Sequence, residues 1–379
     1  MPRPRAALIL AAGYGAGHVQ AGRALAEALA EVLPNVAVET IDYLDWMPRS
    51  IATGTLGLYR NLTRHWPTAY GWVYGTTAWL THHPTWRRHV YHLGIHRLRR
   101  ALAQARPDFV LCTHPLPMGA LSLLRQAGFP VPLVGAVVTD FVLHPEWAQP
   151  HLDRYYVATA DLAQELARYG IDLRRIEVTG IPVRRGFWHP PRREPAPSPS
   201  KPTVLFMTSA LGTLGGVREM CEALFALPHP VRWVVVTGRD HRLRHRLGAL
   251  GPRYPSAEVE VLGYLDGVAE RMAAAELVIT KAGGLTVSEA LALGRPLLLV
   301  RPVPGQEAGN AAWLSRQGAA VVATDSADVA QKALALLKDP QRLAGLAQAS
   351  ARLGRPQAAL DIARSMAQLA ADRPARLGS

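Results

Sequence analysis

Short apolar runs rich in Val, Leu and Ile recur along the whole chain, and most are followed by a stretch with helical periodicity. In the first half they are Ala7–Ala12, Val36–Ile41, Phe109–Thr113, Leu133–Thr139, Arg154–Ala158 and Ile176–Thr179. In the second they are Thr203–Met207, Val231–Thr237, Val259–Leu262, Leu277–Thr280, Pro296–Val300 and Ala320–Ala323. A strand without a polar face must be covered on both sides, which dictates parallel sheets with helices packed above and below. Gly17–Val32 has the spacing of the first such helix. Between the halves, His189–Pro202 (HPPRREPAPSPSKP) is too proline-rich for sheet or helix and reads as a linker. The expected fold is α/β, with two Rossmann-like parallel-sheet domains facing each other across a cleft. Their expected bounds are 1–188 and 203–355, with 189–202 as linker and a last helix at 356–372 packing back on the first domain. A chain of 379 residues is long enough to give each domain its own core.

Three strand-to-helix junctions carry chemistry. Lys281–Gly294 (KAGGLTVSEALALG) runs from a buried strand through Gly283 and Gly284 into a helix read from Thr286 onward. A glycine turn feeding a helix N-terminus presents backbone N–H groups and a positive dipole end, a site for phosphate. Downstream, Pro304–Asn310 (PGQEAGN) places Gln306, Glu307 and Asn310 where amide and carboxylate groups can grip sugar hydroxyls. Phosphate beside polyol suggests a nucleotide-sugar. Thr286 and Glu289 also fit a capping box, which would make Glu289 structural. The second junction, Ala11–His18 (AAGYGAGH), has glycines that let a ligand approach the backbone, Gly15 and Gly17 among them, and puts His18 at the helix start as a candidate general base. Asp42 at the end of the second strand leaves a dinucleotide-binding reading open, although the G-x-G-x-x-G spacing is absent. The third, Val137–Trp147, ends a strand in Thr139 and Asp140 at the sheet edge where such folds bind ligands. Asp140 either orients a base, accepts from an acceptor hydroxyl, or caps the loop that carries His144 and Trp147.

The formal net charge of +13 comes almost entirely from arginine and points to an anionic partner. From Trp46 to Pro107 there is no Asp or Glu, yet there are nine Arg, six His and five Trp: Trp46, Trp66, Trp72, Trp79 and Trp86. Arg87 and Arg88 belong to the cationic end of this run. Amphipathic aromatics with unopposed cations suit a lipid headgroup interface. Single-stranded nucleic acid and an ordinary core with a basic face are the competing readings. No apolar run is long enough to span a bilayer, and the apolar N-terminal run reads as a strand rather than a leader. Cys112 and Cys221 read as buried thiols of a cytosolic protein. No carboxylate pair of the D-x-D type occurs, so no metal is expected.

As an ordered set, Gly15–His18, Thr139–Trp147, Asp153–Thr159 (DRYYVAT), Gly180–Val183 (GIPV), Gly283–Glu289 and Pro304–Asn310 resemble one family over nearly the whole chain. That family is the monogalactosyldiacylglycerol synthases and bacterial processive diacylglycerol glucosyltransferases, relatives of the N-acetylglucosaminyltransferase that makes lipid II. The resemblance implies the GT-B fold and an inverting, metal-independent transfer of hexose from UDP-glucose or UDP-galactose to the hydroxyl of diacylglycerol. It makes His18 the base, with Asp140 beside it. It gives the departing diphosphate to the helix beginning near Leu285, with Gly283, Gly284 and Thr286, and the ribose to Glu289. Gln306, Glu307 and Asn310 then face the donor sugar. Uracil would lie at Tyr264 and Leu265, and the turn Ser209–Gly216, with Ser209 and Gly212, would touch the diphosphate. Two departures are Ala282, where the family often has proline, and the fewer glycines early in Ser209–Gly216. The acceptor side would comprise Gly15, Gly17, His144, Trp147 and the aromatic–arginine segment, at the cytoplasmic face of an anionic membrane, with no cofactor and no nucleic acid. The alternatives are a GT-B transferase for another lipid or isoprenoid-linked acceptor and a nucleotide-sugar sensor without turnover. Glucose against galactose is not legible in these residues.

Overall fold

The computed structural model describes residues 4–80, 89–189, 201–209 and 212–372. The described strands are β1 (Ala6–Ala11), β2 (Ala37–Asp42), β3 (Phe109–Cys112), β4 (Leu133–Val137), β5 (Arg154–Val157), β6 (Ile176–Val178), β7 (Thr203–Met207), β8 (Arg232–Val236), β9 (Glu258–Leu262), β10 (Leu277–Thr280), β11 (Leu297–Val300) and β12 (Ala320–Ala323). In chain order the described helices begin with α1 (Ala16–Val32), α2 (Arg49–His65), α3 (Pro67–Leu80), α4 (Ile95–Ala105), α5 (Pro115–Gln126), α6 (Ala160–Arg168) and α7 (Val217–Phe225). They continue with α8 (His241–Gly248), α9 (Val268–Ala274), α10 (Gly284–Ala292), α11 (Gln306–Arg316), α12 (Ser326–Leu337), α13 (Pro340–Leu353) and α14 (Ala358–Ala371). Two compact units form. One draws on Met1–Gly57, Val73–Arg185 and Gln357–Ser379, the other on Leu58–Trp72 and Gly186–Pro356.

In the first unit six parallel strands stand in the order β2-β1-β3-β4-β5-β6. The chain leaves β1 for β2 on one side and returns to β3 on the other. The carboxyl ends of β1 and β3 therefore diverge into a crevice, the usual ligand position of an open α/β sheet. Helix α14 packs against α1, and buried small residues lie on each, Ala21, Ala24 and Ala28 on one and Ala358, Ala359 and Ala363 on the other. Its Ser365 joins the sheet, accepting from the Tyr156 hydroxyl at 2.9 Å and donating to Glu177 at 2.8 Å. A last helix on the first sheet is thus present.

In the second unit the parallel order is β12-β11-β10-β7-β8-β9, with its reversal between β7 and β10. Its core packs Phe206, Trp233, Val235 and Ile279 from the sheet against Met220, Leu224 and Phe225 of α7 and Leu336 of α12. Residues 58–72, placed in the first domain by sequence, group with this second unit. The reason is local contact. Tyr70 donates its hydroxyl to Gln306 Oε1 at 3.3 Å, and a Cβ on Gly71 would lie 2.5 Å from Pro304. Of the expected linker, residues 190–200 lie outside the described residues. Cys112 and Cys221 are buried and unbonded.

Candidate active site

In the first unit the site grows from the carboxyl ends of β1, β3 and β4. Gly15 is the N-cap of α1, with extended backbone and no side chain in the way, and Gly17 and His18 fill the first turn. Gly13 is required because a Cβ there would come 2.6 Å from Asp42 Oδ2. The Asp42 carboxylate accepts from the N–H groups of Gly13 at 3.1 Å and Leu44 at 3.0 Å. It therefore holds the glycine loop in place, so its position is explained without a ribose.

His18 Nδ1 lies 2.7 Å from the carbonyl of Thr113 and 3.0 Å from Thr139 Oγ1. A carbonyl can only accept, so Nδ1 carries the proton and Nε2 keeps its lone pair. The Thr113 hydroxyl donates back to the His18 main-chain carbonyl at 2.9 Å, so Thr113 holds both the ring and the backbone of His18. Burial pushes the His18 pKa down to about 4. A neutral imidazole with a fixed tautomer is a general base in its working form. Thr113 and Thr139 orient it. Asp140 is the next residue along the same loop and is half-buried.

Two more histidines lie nearby, His114 against this ring and His144 close to His114. The His114 ring stands edge-on to His18 with centroids 4.7 Å apart, and its Nδ1 accepts from Leu116 N–H at 3.1 Å, capping α5. His144 Nδ1 caps a short turn by accepting from Glu146 N–H at 3.3 Å. Both caps put the remaining proton on Nε2. Burial lowers both pKa values, that of His144 to about 4, and neighbouring histidines add to the effect at His114. Trp147 contradicts its expected lipid role. It is 3% exposed, because the loop after β4 folds back through its cap and buries the indole. It belongs to the core.

In the second unit the loops after β10 and β11 meet through Lys281 and Glu307, and those after β8 and β9 meet through Arg239 and Tyr264. Helix α10 starts at Gly284, with Gly283 as an N-cap lacking any side chain. This is earlier than the sequence reading of Thr286, so the Thr286–Glu289 capping box does not form. The N–H groups of Gly284, Leu285 and Thr286 open the helix without intrahelical partners. Glu289 is buried one turn further on. Asn310 is fully buried and donates to the Ala282 carbonyl at 3.0 Å, so its amide supports the glycine turn. Glu307 is ion-paired with Lys281, and Gln306 accepts from Tyr70. Ser209 Oγ lies 2.9 Å from Thr213 Oγ1, and Gly212 (φ +66°) turns the loop in the left-handed region that favours glycine. Tyr264 is exposed, with the Arg239 guanidinium 5.4 Å from its ring centroid, and Leu265 beside it is half-buried.

In the aromatic segment, Ile51 and Leu58 on α2, Trp66 between the helices, and Trp72 and Val73 on α3 are exposed, Trp66 at 64% and Trp72 at 78%. Arg49, Arg60 and Arg64 accompany them on α2. Trp86, Arg87 and Arg88 lie outside the described residues, as does the side chain of Trp79. Among the described residues no helix is long and apolar enough to cross a membrane, and no group of three or more metal-ligating side chains converges. Sequence reasoning gave no site role to Thr113, His114, Lys281 and Arg239, and read Tyr70 only as one of the aromatics of the lipid-facing segment. The first two carried a usable signal, a polar pair ending a buried strand, the same signal that singled out Thr139 and Asp140.

Residues 18–183 match the family model of monogalactosyldiacylglycerol (MGDG) synthase, and residues 223–362 match that of the glycosyltransferase family 28 C-terminal domain. A processive diacylglycerol beta-glucosyltransferase of Bacillus cytotoxicus is 33% identical over 368 residues, covering 94% of this chain and 91% of that one. One from Bacillus cereus strain AH187 is 31% identical over 365 residues, covering 93% and 90%. The crystal structure of Acinetobacter baumannii MurG superposes with a TM-score of 0.61 at 17% identity, covering 96% of this chain and 100% of that one. That likeness shows the fold, with both sheets in the GT-B class. The chain belongs to the hexosyltransferase family of the processive diacylglycerol β-glucosyltransferases.

Proposed function

We propose that this protein moves a hexose from a UDP-sugar to the free hydroxyl of diacylglycerol, with inversion and without a metal, at an anionic membrane surface. The observation that carries the reading is His18, neutral, clamped at Nδ1 by Thr113 and Thr139, with Nε2 left as the base. The acceptor hydroxyl gives its proton to Nε2 as its oxygen bonds to the anomeric carbon. The bond from that carbon to the β-phosphate oxygen breaks, and UDP departs with the electron pair. Attack opposite the leaving group makes the product β from an α-linked donor. The opening N–H groups and dipole of α10 take the charge that grows on the diphosphate, the task a metal performs elsewhere. Glu289 holds the ribose, Tyr264 and Leu265 the uracil, and Gln306 and Glu307 the hexose, whether glucose or galactose.

The exposed Trp66 and Trp72, with the arginines of α2, support a peripheral position on the cytoplasmic leaflet, where each cation contributes about 1 kcal/mol. The test is a panel of UDP-glucose and UDP-galactose against diacylglycerol in anionic and neutral vesicles. Glycolipid from either donor, faster on anionic vesicles, is expected. UDP binding without transfer to any lipid would leave a sensor and overturn the reading.

A further inference from the structure

We infer that Lys281 is a diphosphate-binding residue held in reserve by Glu307, and that donor binding exchanges this partner for phosphate. The inference rests on the UDP-sugar reading and adds a residue to it. Lys281 directly follows β10, at the strand end where the sheet order reverses. Its side chain folds over the glycine turn: a Cβ on Gly283 would lie 3.8 Å from its Cε and 4.0 Å from its Nζ. The ammonium is thus poised beside the opening N–H groups of α10, where a phosphate would sit.

Its partner Glu307 opens α11, and the pair is largely buried, with side chains 23% and 13% exposed. Desolvating both charges consumes much of their attraction, so the pair adds little net stability. It does keep each group from standing alone in a dry site. Glu307 is further held through Oε2, which lies 3.5 Å from Val303 N–H, and Asn310 fixes the turn from below through Ala282. The diphosphate of a UDP-sugar, with one negative charge on each phosphate, offers the ammonium a stronger partner than one carboxylate when it enters the turn. Lysine suits such an exchange because it is a point charge on a flexible stem with three rotatable donors. Once released, the Glu307 carboxylate accepts hydrogen bonds from hexose hydroxyls. Phosphate capture and sugar recognition are then one event, and UDP alone would undo the pair without filling the Glu307 side.

The test compares uridine, UDP and UDP-hexose by calorimetry and turnover in the wild-type protein, Lys281→Ala and Glu307→Gln. Lys281→Ala is expected to weaken UDP at least about tenfold, the loss of one charge-assisted hydrogen bond, while uridine binding stays within about twofold. Glu307→Gln is expected to keep or tighten UDP binding, because the ammonium loses its competitor, and to lower kcat/KM for UDP-hexose at least about tenfold. Unchanged uridine binding shows that each variant is folded. A merely structural pair predicts that both substitutions weaken UDP alike, which would overturn the inference. So would UDP binding that Lys281→Ala leaves intact. Failure of the wild-type protein to bind either uridine or UDP would overturn the donor reading and this inference with it.

Discussion

Acidification should unfold this protein through the histidines at its site. His18 and His144 are held neutral by burial, each with a pKa of about 4 against the ordinary 6.5, and His114 is shifted in the same direction. The unfolded chain binds the proton first. The stability attached to each neutral ring is therefore complete above about pH 6.5 and is lost as pH falls towards 4. Over roughly two and a half pH units, at about 1.4 kcal/mol per unit, the loss is about 3 kcal/mol for His18 and the same for His144. Domains of this kind hold only about 5–15 kcal/mol in total. At about 2–4 °C per kcal/mol, each histidine accounts for a fall in Tm on the order of 10 °C. Circular dichroism melts between pH 7.5 and 4.5 measure it. His114→Asn and His144→Asn isolate it, since asparagine keeps the cap to Leu116 or Glu146 through its side-chain oxygen and removes the titrating ring. Each variant should lose several degrees less than wild type on acidification. An acid slope identical in wild type and both variants would refute the reasoning.

His18→Ala should lower kcat by about 10²–10⁴-fold with UDP affinity unchanged by calorimetry, because the ring belongs to the first unit and the proposed nucleotide contacts to the second. Asn310→Ala removes the buried donor to Ala282 and should cost about 1–3 kcal/mol in denaturant unfolding while weakening UDP. Replacing Trp66 and Trp72 with alanine should reduce binding to anionic vesicles in a flotation assay and leave Tm within about 2 °C, since both are exposed. Gly13→Ala should abolish turnover, as its Cβ meets the carboxylate that holds the loop.

Much of this was legible because it depends on local periodicity. Every strand core read from the apolar runs is present, and Thr203–Met207, Leu277–Thr280 and Ala320–Ala323 match to the residue. The place of His18 in the first turn of α1 was legible because a glycine-rich strand-to-helix turn precedes it. The missed features depend on tertiary contact. Trp147 reads as an amphipathic loop residue until the loop's own cap turns it inward. The start of α10 at Gly284 was hidden because Gly283 caps by conformation rather than by a side chain. Asn310 looked like a sugar contact, yet it is fully buried and donates to a carbonyl 28 residues away. Residues 58–72 carry no sequence signal that they join the second unit, since Tyr70 finds Gln306 236 positions along the chain.

The most direct test of the account is the anomeric configuration of the lipid made from UDP-glucose and diacylglycerol in the presence of EDTA, read from the proton coupling at the anomeric carbon. The expected product is a β-glucosyl lipid, formed at an undiminished rate by the wild-type protein and lost in His18→Ala. An α product, a rate that collapses on chelation, or full activity without His18 would contradict it.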